Sequence, residues 1–362
     1  MSSPVAMPSS GVLLAHPPLD LRIVDPLSLA GWDALLETHP QATFFHSAAW
    51  AKTLGDAYGF HRRYIVIFER EKLCGLLPLM EARSWIRGKR GVSLPFTDEC
   101  SPLLAQDVTA EPLLKAAMQE GQRHGWKYVE FRGGNEGFPS LLESVSFYTH
   151  VLRLRSSAEE LFETFDSSVR RAIRKAERCG VRVECGTDIE AVRAYYRLHC
   201  RTRTKHGAPP QPFSFFRSLW ENALQKGRGF VALATYRQRP LAGAVFLQFA
   251  SKAIYKFSAS DERYQELRGP NLVIWHAIKK LVDEGAVELN FGKTSLSNEG
   301  LRRFKRYWNA DERIVRYTRY CFESQKFVRV ADLAAGTQRR IFALLPVFLS
   351  RWIGRAAYAH MS

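Results

Sequence analysis

The stretch of sequence that decides the fold is KAIYKFSASDERYQELRGPNLVIWHAIKKLVDEGAVELNFGKTSLSNEGLRRFKRYW, from Lys252 to Trp308. Its apolar pattern predicts a strand at residues 253–257, a polar loop, a helix over residues 272–284 and a second strand at residues 286–291. Such a β-loop-α-β unit points the free N–H groups of its helix toward the strand ends. An anionic ligand or an oxyanion would sit there.

Two residues mark the ends of this helix. Pro270 suits the first helical turn and Gly285 suits the position just beyond the last turn. Pro270 also removes one N–H group from the helix start, which weakens it as a cradle for phosphate. An ordinary proline-started helix explains the same residues.

Length and composition describe a folded protein with a basic surface. The chain has 362 residues, enough for two domains of ordinary size, and 46% of them are hydrophobic. That apolar content is too high for a disordered chain. The formal charge of +16 favours phosphate-bearing or membrane-surface partners.

The sequence lacks the patterns that mark zinc proteins, secreted proteins, membrane-spanning proteins and sequence-specific DNA-binding proteins. The six cysteines show no CxxC pairing and no zinc-ligand spacing, so we expect reduced thiols, a cytoplasmic location and no metal. Residues 1–20 resemble a disordered leader and lack the features of a signal peptide. No apolar run reaches the roughly 18 to 20 residues that span a bilayer. No pattern for sequence-specific DNA binding is present.

The order of predicted elements occurs twice along the chain. Residues 21–150 and residues 151–327 each read as helices alternating with short strands, and the order restarts near residue 150. The sequence therefore predicts an α/β (α+β) protein of two tandem domains, each with a mixed central sheet flanked by helices. Residues 328–362 are predicted to form a basic amphipathic tail.

Some local predictions are specific enough to check individually. Ser47 is expected to cap a helix over residues 48–58, and residues 92–96 are expected to form a short strand. A single helix, capped by Ser157, is expected to run to Gly180.

Four short motifs, in this order and spacing, resemble the FemAB family, which has two tandem GNAT-like domains. They are FFHSAAW at 44–50, RRAIRKA at 170–176, WHAI at 275–278, and NFG at 290–292 followed by GLRRFK at 300–305. The likeness covers roughly residues 20–327. Within the family, the chain is most similar to FemAB-like proteins associated with exosortase and exopolysaccharide loci, with a BioF2-like acetyltransferase domain.

The resemblance implies an acyltransferase that acts on an amino group of a polysaccharide or cell-wall glycan precursor. The donor would be an acyl-CoA, acetyl-CoA above all, or an aminoacyl-tRNA. The chain has no Gly-x-Ser-x-Gly elbow and no Cys/His signature, which favours direct attack in a ternary complex. A non-catalytic membrane-surface protein of an exopolysaccharide export system is the alternative from a different functional class.

Donor-binding residues are expected at the start of the predicted helix. The family's pyrophosphate loop is only partly matched by residues 265–271, in which Arg268, Gly269 and Asn271 are the candidates. Tyr255 on the preceding strand and His206 at the end of another helix are further candidates. A helix-capping role explains His206 equally well.

The predicted chemistry lies at the exit of the second strand. Lys305 and Lys293 are candidates for supplying positive charge to an oxyanion or a substrate phosphate, beside Asn290 and Gly292. Asp98, across the cleft between the domains, is the candidate for base or amine-orienting work. Solvated surface lysines and a solvated turn aspartate are the plain alternatives.

Two basic segments suggest further partners. Arg174 and Lys175 belong to a positive helix face that suits a tRNA acceptor stem or a lipid-linked pyrophosphate, or that simply faces solvent. Residues 339–358 alternate arginines with apolar residues, which suits a helix lying on the inner face of the cytoplasmic membrane or packing on the protein itself. We therefore expect a protein that is either cytoplasmic or bound to the membrane from the cytoplasmic side, with a glycan or lipid-linked sugar substrate.

Overall fold

The computed structural model describes residues 19–85, 87–134, 137–138, 141–154, 157–332, 354 and 358. Its strands are β1 (Asp20–Val24), β2 (His61–Arg62), β3 (Tyr64–Glu69), β4 (Lys72–Leu77), β5 (Met80–Ser84), β6 (Gly88–Val92), β7 (Leu103–Leu104), β8 (Tyr128–Arg132), β9 (Val145–Arg153), β10 (Arg182–Gly186), β11 (Gly229–Tyr236), β12 (Arg239–Phe249), β13 (Lys252–Ser260), β14 (Glu288–Ser295), β15 (Asp311–Cys321) and β16 (Lys326–Phe327).

The helices are α1 (Trp32–Glu37), α2 (Ala48–Tyr58), α3 (Glu111–His124), α4 (Ala158–Thr164), α5 (Ser167–Arg178), α6 (Ile189–Lys205), α7 (Phe213–Asn222), α8 (Gly269–Asp283) and α9 (Glu299–Arg306). Short 3-10 turns occur at Phe44–His46, Leu224–Lys226 and Glu262–Leu267.

Local sequence signals explain several of these boundaries. The Ser47 side chain accepts a hydrogen bond from the Trp50 amide, which confirms the predicted cap of α2. The single helix predicted from Ser157 to Gly180 was wrong. It is two helices, because Asp166 leaves the helical conformation and caps α5 by accepting from the Ser168 amide.

Two other boundaries differ from the prediction. The strand expected at residues 92–96 ends at Val92, because the chain turns sharply beyond that point. Asp20, assigned to the disordered leader, opens β1, which pairs with β3. Residues 1–18 of the predicted leader lie outside the described part of the chain.

A large mixed sheet flanked by helices, as the predicted fold class has it, runs through both halves of the protein. Its twelve strands follow the order β10-β11-β12-β13-β14-β9-β15-β8-β6-β5-β2, with β16 beside β15, and a separate four-stranded sheet has the order β1-β3-β4-β7. Two neighbouring pairs in the large sheet are parallel, β13 with β14 and β6 with β8. Each half therefore contains one parallel pair.

The halves are joined by strands that cross between them. β9, in which the predicted domain boundary lies, pairs with β14 of the second half. β15, although late in the chain, lies between β9 and β8 and so adjoins the first half. The two parallel pairs thus lie on either side of a shared antiparallel centre.

Apolar packing also connects the halves. Helices α2 and α7 pack together, and the rings of Trp50 and Phe215 meet edge to face at 6.1 Å. A second core surrounds α8, which packs on β11, β12 and α5. These two cores fix the positions of β13 and β14, where the candidate site lies.

Candidate active site

The site begins where two parallel strands separate. β13 and β14 pair at three positions only, and their ladder ends at Ile254 and Asn290. The register of β14 with β9 shifts between Asn290 and Lys293, and that of β12 with β13 shifts between Val245 and Phe246. Bulges of this kind redirect side chains near functional sites, and ligands of open α/β sheets bind at the carboxyl ends of the strands.

A buried ion pair closes one side of this gap. The Lys256 ammonium, on β13, lies 3.0 Å from the Asp98 carboxylate and donates to the Phe96 carbonyl at 2.7 Å. Burial by itself would raise the pKa of the Asp98 carboxyl, but Lys256 and Lys293 hold that pKa below its usual range. Asp98 is therefore a carboxylate, better suited to orienting an amine than to accepting its proton.

The loop that presents Asp98 has a strained backbone. Leu94 and Phe96 both have positive φ angles, 61° and 59°, a conformation that bulky residues seldom adopt. Backbone strain of this kind persists where the surrounding structure enforces it, often at a functional site. Tyr317, on β15, contributes by donating its hydroxyl hydrogen to the Asp98 carbonyl at 2.6 Å.

Lys305 lies within hydrogen-bond distance of the bulge in β14. Its side chain is buried, and its amine donates to the carbonyls of Gly292 at 2.7 Å and Lys293 at 3.2 Å. Burial lowers the pKa of Lys305 to about 8, against the opposing influence of Asp98. A neutral amine has two N–H groups and one lone pair, so both bonds are compatible with a neutral lysine that still has its lone pair to accept a proton.

Lys293 makes cation–π contacts with two aromatic rings. Its ammonium lies 4.3 Å from the centre of the Phe147 ring and 4.8 Å from that of Tyr317, and it donates to the Tyr317 hydroxyl at 3.2 Å. Burial and the Arg132 charge lower the pKa of Lys293 to about 8, although Asp98 acts in the opposite direction. Lys293 and Lys305 are thus two lysines of reduced basicity near one carboxylate.

Gly292 and Asn290 shape the bulge between these groups. Gly292 has a φ of 70°, and a Cβ atom at this position would lie 3.1 Å from an Asp98 carboxylate oxygen. The Asn290 side-chain oxygen accepts from the Gly292 amide at 2.7 Å and from the Thr149 hydroxyl at 3.1 Å. The structure therefore brings together five of the predicted residues: Asp98, Asn290, Gly292, Lys293 and Lys305.

A second group of predicted residues lines a separate cavity of about 340 Å³ at the start of α8. Arg268, Asn271 and His206 are among its lining residues, together with Lys205 and Phe304. The group of Asp98, Lys256, Lys293, Lys305 and Tyr317 described above is called the lysine cluster. Phe304 adjoins Lys305 in α9, so this helix contributes to both the cavity and the lysine cluster. The lining of the cavity combines side-chain donors with two carboxylates, Asp261 and Glu262, and Glu262 forms an ion pair with Lys205.

The backbone at the start of α8 offers few free donors. Pro270 has no N–H, and the amides of Asn271 and Leu272 both donate to the Arg268 carbonyl. Gly269 permits close packing on β12, because a Cβ atom there would lie 2.0 Å from the Leu241 side chain. The glycine is thus explained by packing against Leu241.

Two of the other predicted residues lie apart from the lysine cluster, and a third, Tyr255, borders it. Arg174 and Lys175 are exposed on α5, and the Arg174 guanidinium lies 5.3 Å from the centre of the Phe162 ring. Tyr255 packs its ring against Phe246 and Phe291, and burial raises its pKa to about 12. These contacts make Tyr255 part of the wall of the gap.

Two residues of the cluster were not predicted as site residues, namely Lys256 and Tyr317. Lys256 stands in the otherwise apolar run of β13, where a lysine breaks the pattern, and that break was the available signal. Tyr317 reaches Asp98 only because β15 is inserted between β9 and β8. Nothing in the local sequence indicates that contact.

The end of the predicted tail is described at two residues. Tyr358 is buried, its ring lies 5.5 Å from that of Phe96, and its hydroxyl accepts from Arg203 at 3.0 Å. A Cβ atom on Gly354 would lie 2.1 Å from the Pro210 carbonyl oxygen. Both residues thus pack on the protein itself, while residues 333–353, 355–357 and 359–362 lie outside the described part.

No helix within the described residues is long and apolar enough to cross a membrane. In the same part of the chain, no group of three or more His, Cys, Asp or Glu side chains is arranged to hold a metal ion.

Comparison with known proteins identifies the fold that carries this site. Residues 164–306 match the model of the acetyltransferase (GNAT) domain. This segment of the second half is thus similar to GNAT acetyltransferase domains. The matched segment includes β13, β14, Lys293 and Lys305, whereas Asp98 and Tyr317 of the lysine cluster lie outside it. Curated proteins show no significant match to the sequence.

Solved structures extend the similarity to the whole fold. FemX is similar with a TM-score of 0.65 at 14% identity, covering 82% of this chain and 96% of FemX. A tandem GNAT protein from the clavulanic acid biosynthesis pathway has a TM-score of 0.54 at 10% identity, covering 84% and 98%. L-PGS from Bacillus licheniformis has a TM-score of 0.53 at 14% identity, covering 91% and 97%. The predicted FemAB-like, GNAT-type fold is confirmed.

Proposed function

We propose that the chain transfers an acyl group directly to an amine, with donor and acceptor bound together in the gap between β13 and β14. The observation that carries this proposal is the cluster of Lys305, Asp98 and Lys293 at the point where the two strands separate. It combines Lys305, which is a lysine of low basicity, with the carboxylate of Asp98 and with Lys293 as a second basic group. Acyl transfer to an amine needs these three kinds of group.

Each residue has a distinct role in this reaction. Asp98 orients the acceptor amine, which attacks the donor carbonyl as neutral Lys305 accepts the proton that the amine loses. Lys293 stabilises the negative oxygen of the tetrahedral intermediate in its protonated form, while Lys305 acts in its neutral form, and both forms are populated near a pKa of about 8. When the intermediate collapses, the bond to the leaving group breaks and Lys305 returns the proton to it. The reaction forms no bond to the enzyme.

The acceptor that we propose is an amino group of a polysaccharide or cell-wall glycan precursor, from the FemAB resemblance and the similarity to FemX. The formal charge of +16 supports an acceptor that carries phosphate, such as a lipid-linked sugar. We place the reaction on the cytoplasmic side of the membrane, in an exopolysaccharide pathway.

The donor is either an acyl-CoA, as is general for the GNAT fold, or an aminoacyl-tRNA. The start of α8 favours the second, because Pro270 and the bonded amides of Asn271 and Leu272 leave little backbone for a pyrophosphate. Arg268, Lys205 and His206 would then hold the donor through side chains around the adjacent cavity.

The donor and the role of Lys305 are tested together. Purified protein is given acetyl-CoA or aminoacyl-tRNA with a panel of amino-sugar acceptors, and transfer is followed by mass spectrometry. Lys305→Ala is expected to lower kcat/KM by at least about 10²-fold, the usual contribution of a general base. Lys305→Arg should not restore activity, because arginine stays protonated.

The exposed Lys326 provides the matched control, and Lys326→Ala should leave kcat/KM unchanged. Full activity of Lys305→Arg would overturn the role of Lys305 as a base while leaving acyl transfer intact. Failure of both donors with every acceptor would favour the non-catalytic binding role instead.

A further inference from the structure

The hairpin between β5 and β6 exposes an indole ring. Trp85 is 84% exposed, whereas the other exposed large apolar side chains in the described part of the chain reach at most 50%. It follows the last paired residues of the hairpin, Ser84 and Gly88. Indole rings favour the boundary between water and lipid, where the apolar ring and the polar N–H are both accommodated.

Cationic side chains surround this tip. The exposed ones on the hairpin and on the adjoining end of α3 are Arg83, Arg87, Lys89, Arg123 and Lys127. The two segments are in contact, because the Lys89 ammonium donates to the His124 carbonyl at 3.3 Å and the Lys127 amide donates to the Lys89 carbonyl at 2.8 Å. The basic residues therefore share one surface.

The acidic residues of the same segments are buried. Residues 80–90 and 119–127 contain two carboxylates, Glu81 and Glu120, with side chains 0% and 2% exposed. Glu81 accepts from Arg83 at 2.6 Å and from the Trp126 indole at 2.8 Å. Glu81 pairs with Arg83 and Glu120 pairs with Arg123, so the five exposed cations exceed the two buried carboxylates by three and the surface around Trp85 is net positive.

We propose that this hairpin docks the protein on an anionic lipid surface, with the Trp85 ring in the interface and the surrounding cations among the headgroup phosphates. One weak anchor gives only marginal binding, and an apolar insertion combined with a basic patch gives stable binding. This docking surface is separate from the residues that carry the proposed reaction and does not depend on it.

The shape of the tip favours lipid over nucleic acid. Single-stranded nucleic acid is held by grooves that combine stacking rings with a basic track, whereas Trp85 projects from a hairpin end. The strand β6 leads from this tip to the loop of Asp98, and its five residues span roughly 16 Å at the usual strand rise. Docking of the tip would thus hold the loop of Asp98 roughly one strand length above the lipid surface.

Vesicle binding tests the proposal. Full-length protein is floated with vesicles of phosphatidylcholine alone or with vesicles of phosphatidylcholine mixed with the anionic lipid phosphatidylglycerol, which give a negative surface. Binding is expected only to the anionic vesicles, and Trp85→Ala should weaken it about tenfold. Arg87→Glu with Lys89→Glu should abolish it, since each cation contributes on the order of fivefold.

The matched control reverses two charges on the other basic face, Arg171→Glu with Lys175→Glu on α5, and should leave vesicle binding unchanged. Thermal unfolding of Trp85→Ala should match that of the unmodified protein, because the side chain is exposed. Equal binding of Trp85→Ala, loss of binding in the α5 variant, or binding of the hairpin to single-stranded RNA but not to vesicles would overturn the proposal.

Discussion

The two parallel strand pairs of the sheet end differently. In the first half, β6 and β8 pair at two positions, and the chain beyond β6 then closes the space between them. The Ser93 amide donates to the Glu130 carbonyl at 2.8 Å, and the Cys100 amide donates to the Arg132 carbonyl at 2.7 Å. In the second half, the ladder between β13 and β14 ends at Ile254 and Asn290 and is followed by the lysine cluster.

The buried charged residues beside the two strand pairs also differ, because one is matched by opposite charges and the other is not. Glu130, in the first pair, is matched by Arg132 and Arg319, and although burial opposes it, these charges lower its pKa to about 2. Lys305, in the second, is buried without an acidic partner at hydrogen-bond distance among the described residues and has a pKa near 8. The pair β6 and β8 thus has its buried carboxylate matched by cations and leads into the loop of Asp98. The pair β13 and β14 instead adjoins a buried lysine with a lowered pKa.

Breaking one ion pair beside each of the two parallel strand pairs should separate these roles most strongly. Asp98→Asn leaves the Lys256 ammonium buried without a counter-charge, so we expect a loss of about 3 kcal/mol in unfolding free energy and at least about 10²-fold in kcat/KM. Glu130→Gln should cost similar stability. It should leave kcat/KM within about threefold, measured below the unfolding transition of both variants.

Two glycines provide a matched pair of substitutions. Gly292→Ala and Gly285→Ala both place a side chain at a positive φ, 70° and 76°, and each should cost about 1 kcal/mol in chemical denaturation. A Cβ atom on Gly285 contacts nothing within 4 Å, whereas one on Gly292 lies 3.1 Å from the Asp98 carboxylate. Activity should fall, by about tenfold, only for Gly292→Ala. Equal activity of the two variants would contradict the proposed geometry.

The smallest effect is expected at Tyr358. Tyr358→Ala removes a ring that packs on Phe96, in the strained loop of Asp98, and should lower kcat/KM a few-fold through misplacement of that carboxylate. Tyr358→Phe keeps the ring, loses only the bond from Arg203, and should retain most of the activity. Equal losses for both variants would show that the hydroxyl, not the packing, holds the loop.

Local chemistry made much of the fold predictable. Ser47 was found as a cap because a serine before an apolar run has a direct local effect, and the helix of the β-loop-α-β unit was found from Pro270 and Gly285. The break at Phe165 and Asp166 was missed because the apolar spacing continues across it.

The site was predictable only in part. Asp98 and Lys293 follow the ends of predicted strands, and the family motif at 300–305 indicates Lys305. The contact of Asp98 with Lys256 depends on a bulge, and its contact with Tyr317 depends on the order β9-β15-β8. Both are properties of the assembled sheet that no local pattern contains.

The most direct test of the central claim is the pKa of Lys305 in the native protein. It is measured by competitive labelling with trace acetic anhydride across pH, with the modified lysines quantified by mass spectrometry. We expect a pKa of about 8 for Lys305. In Asp98→Asn this pKa should fall further, because the carboxylate charge raises it. A value near 10.5, the ordinary value for lysine, unchanged in Asp98→Asn, would contradict the account.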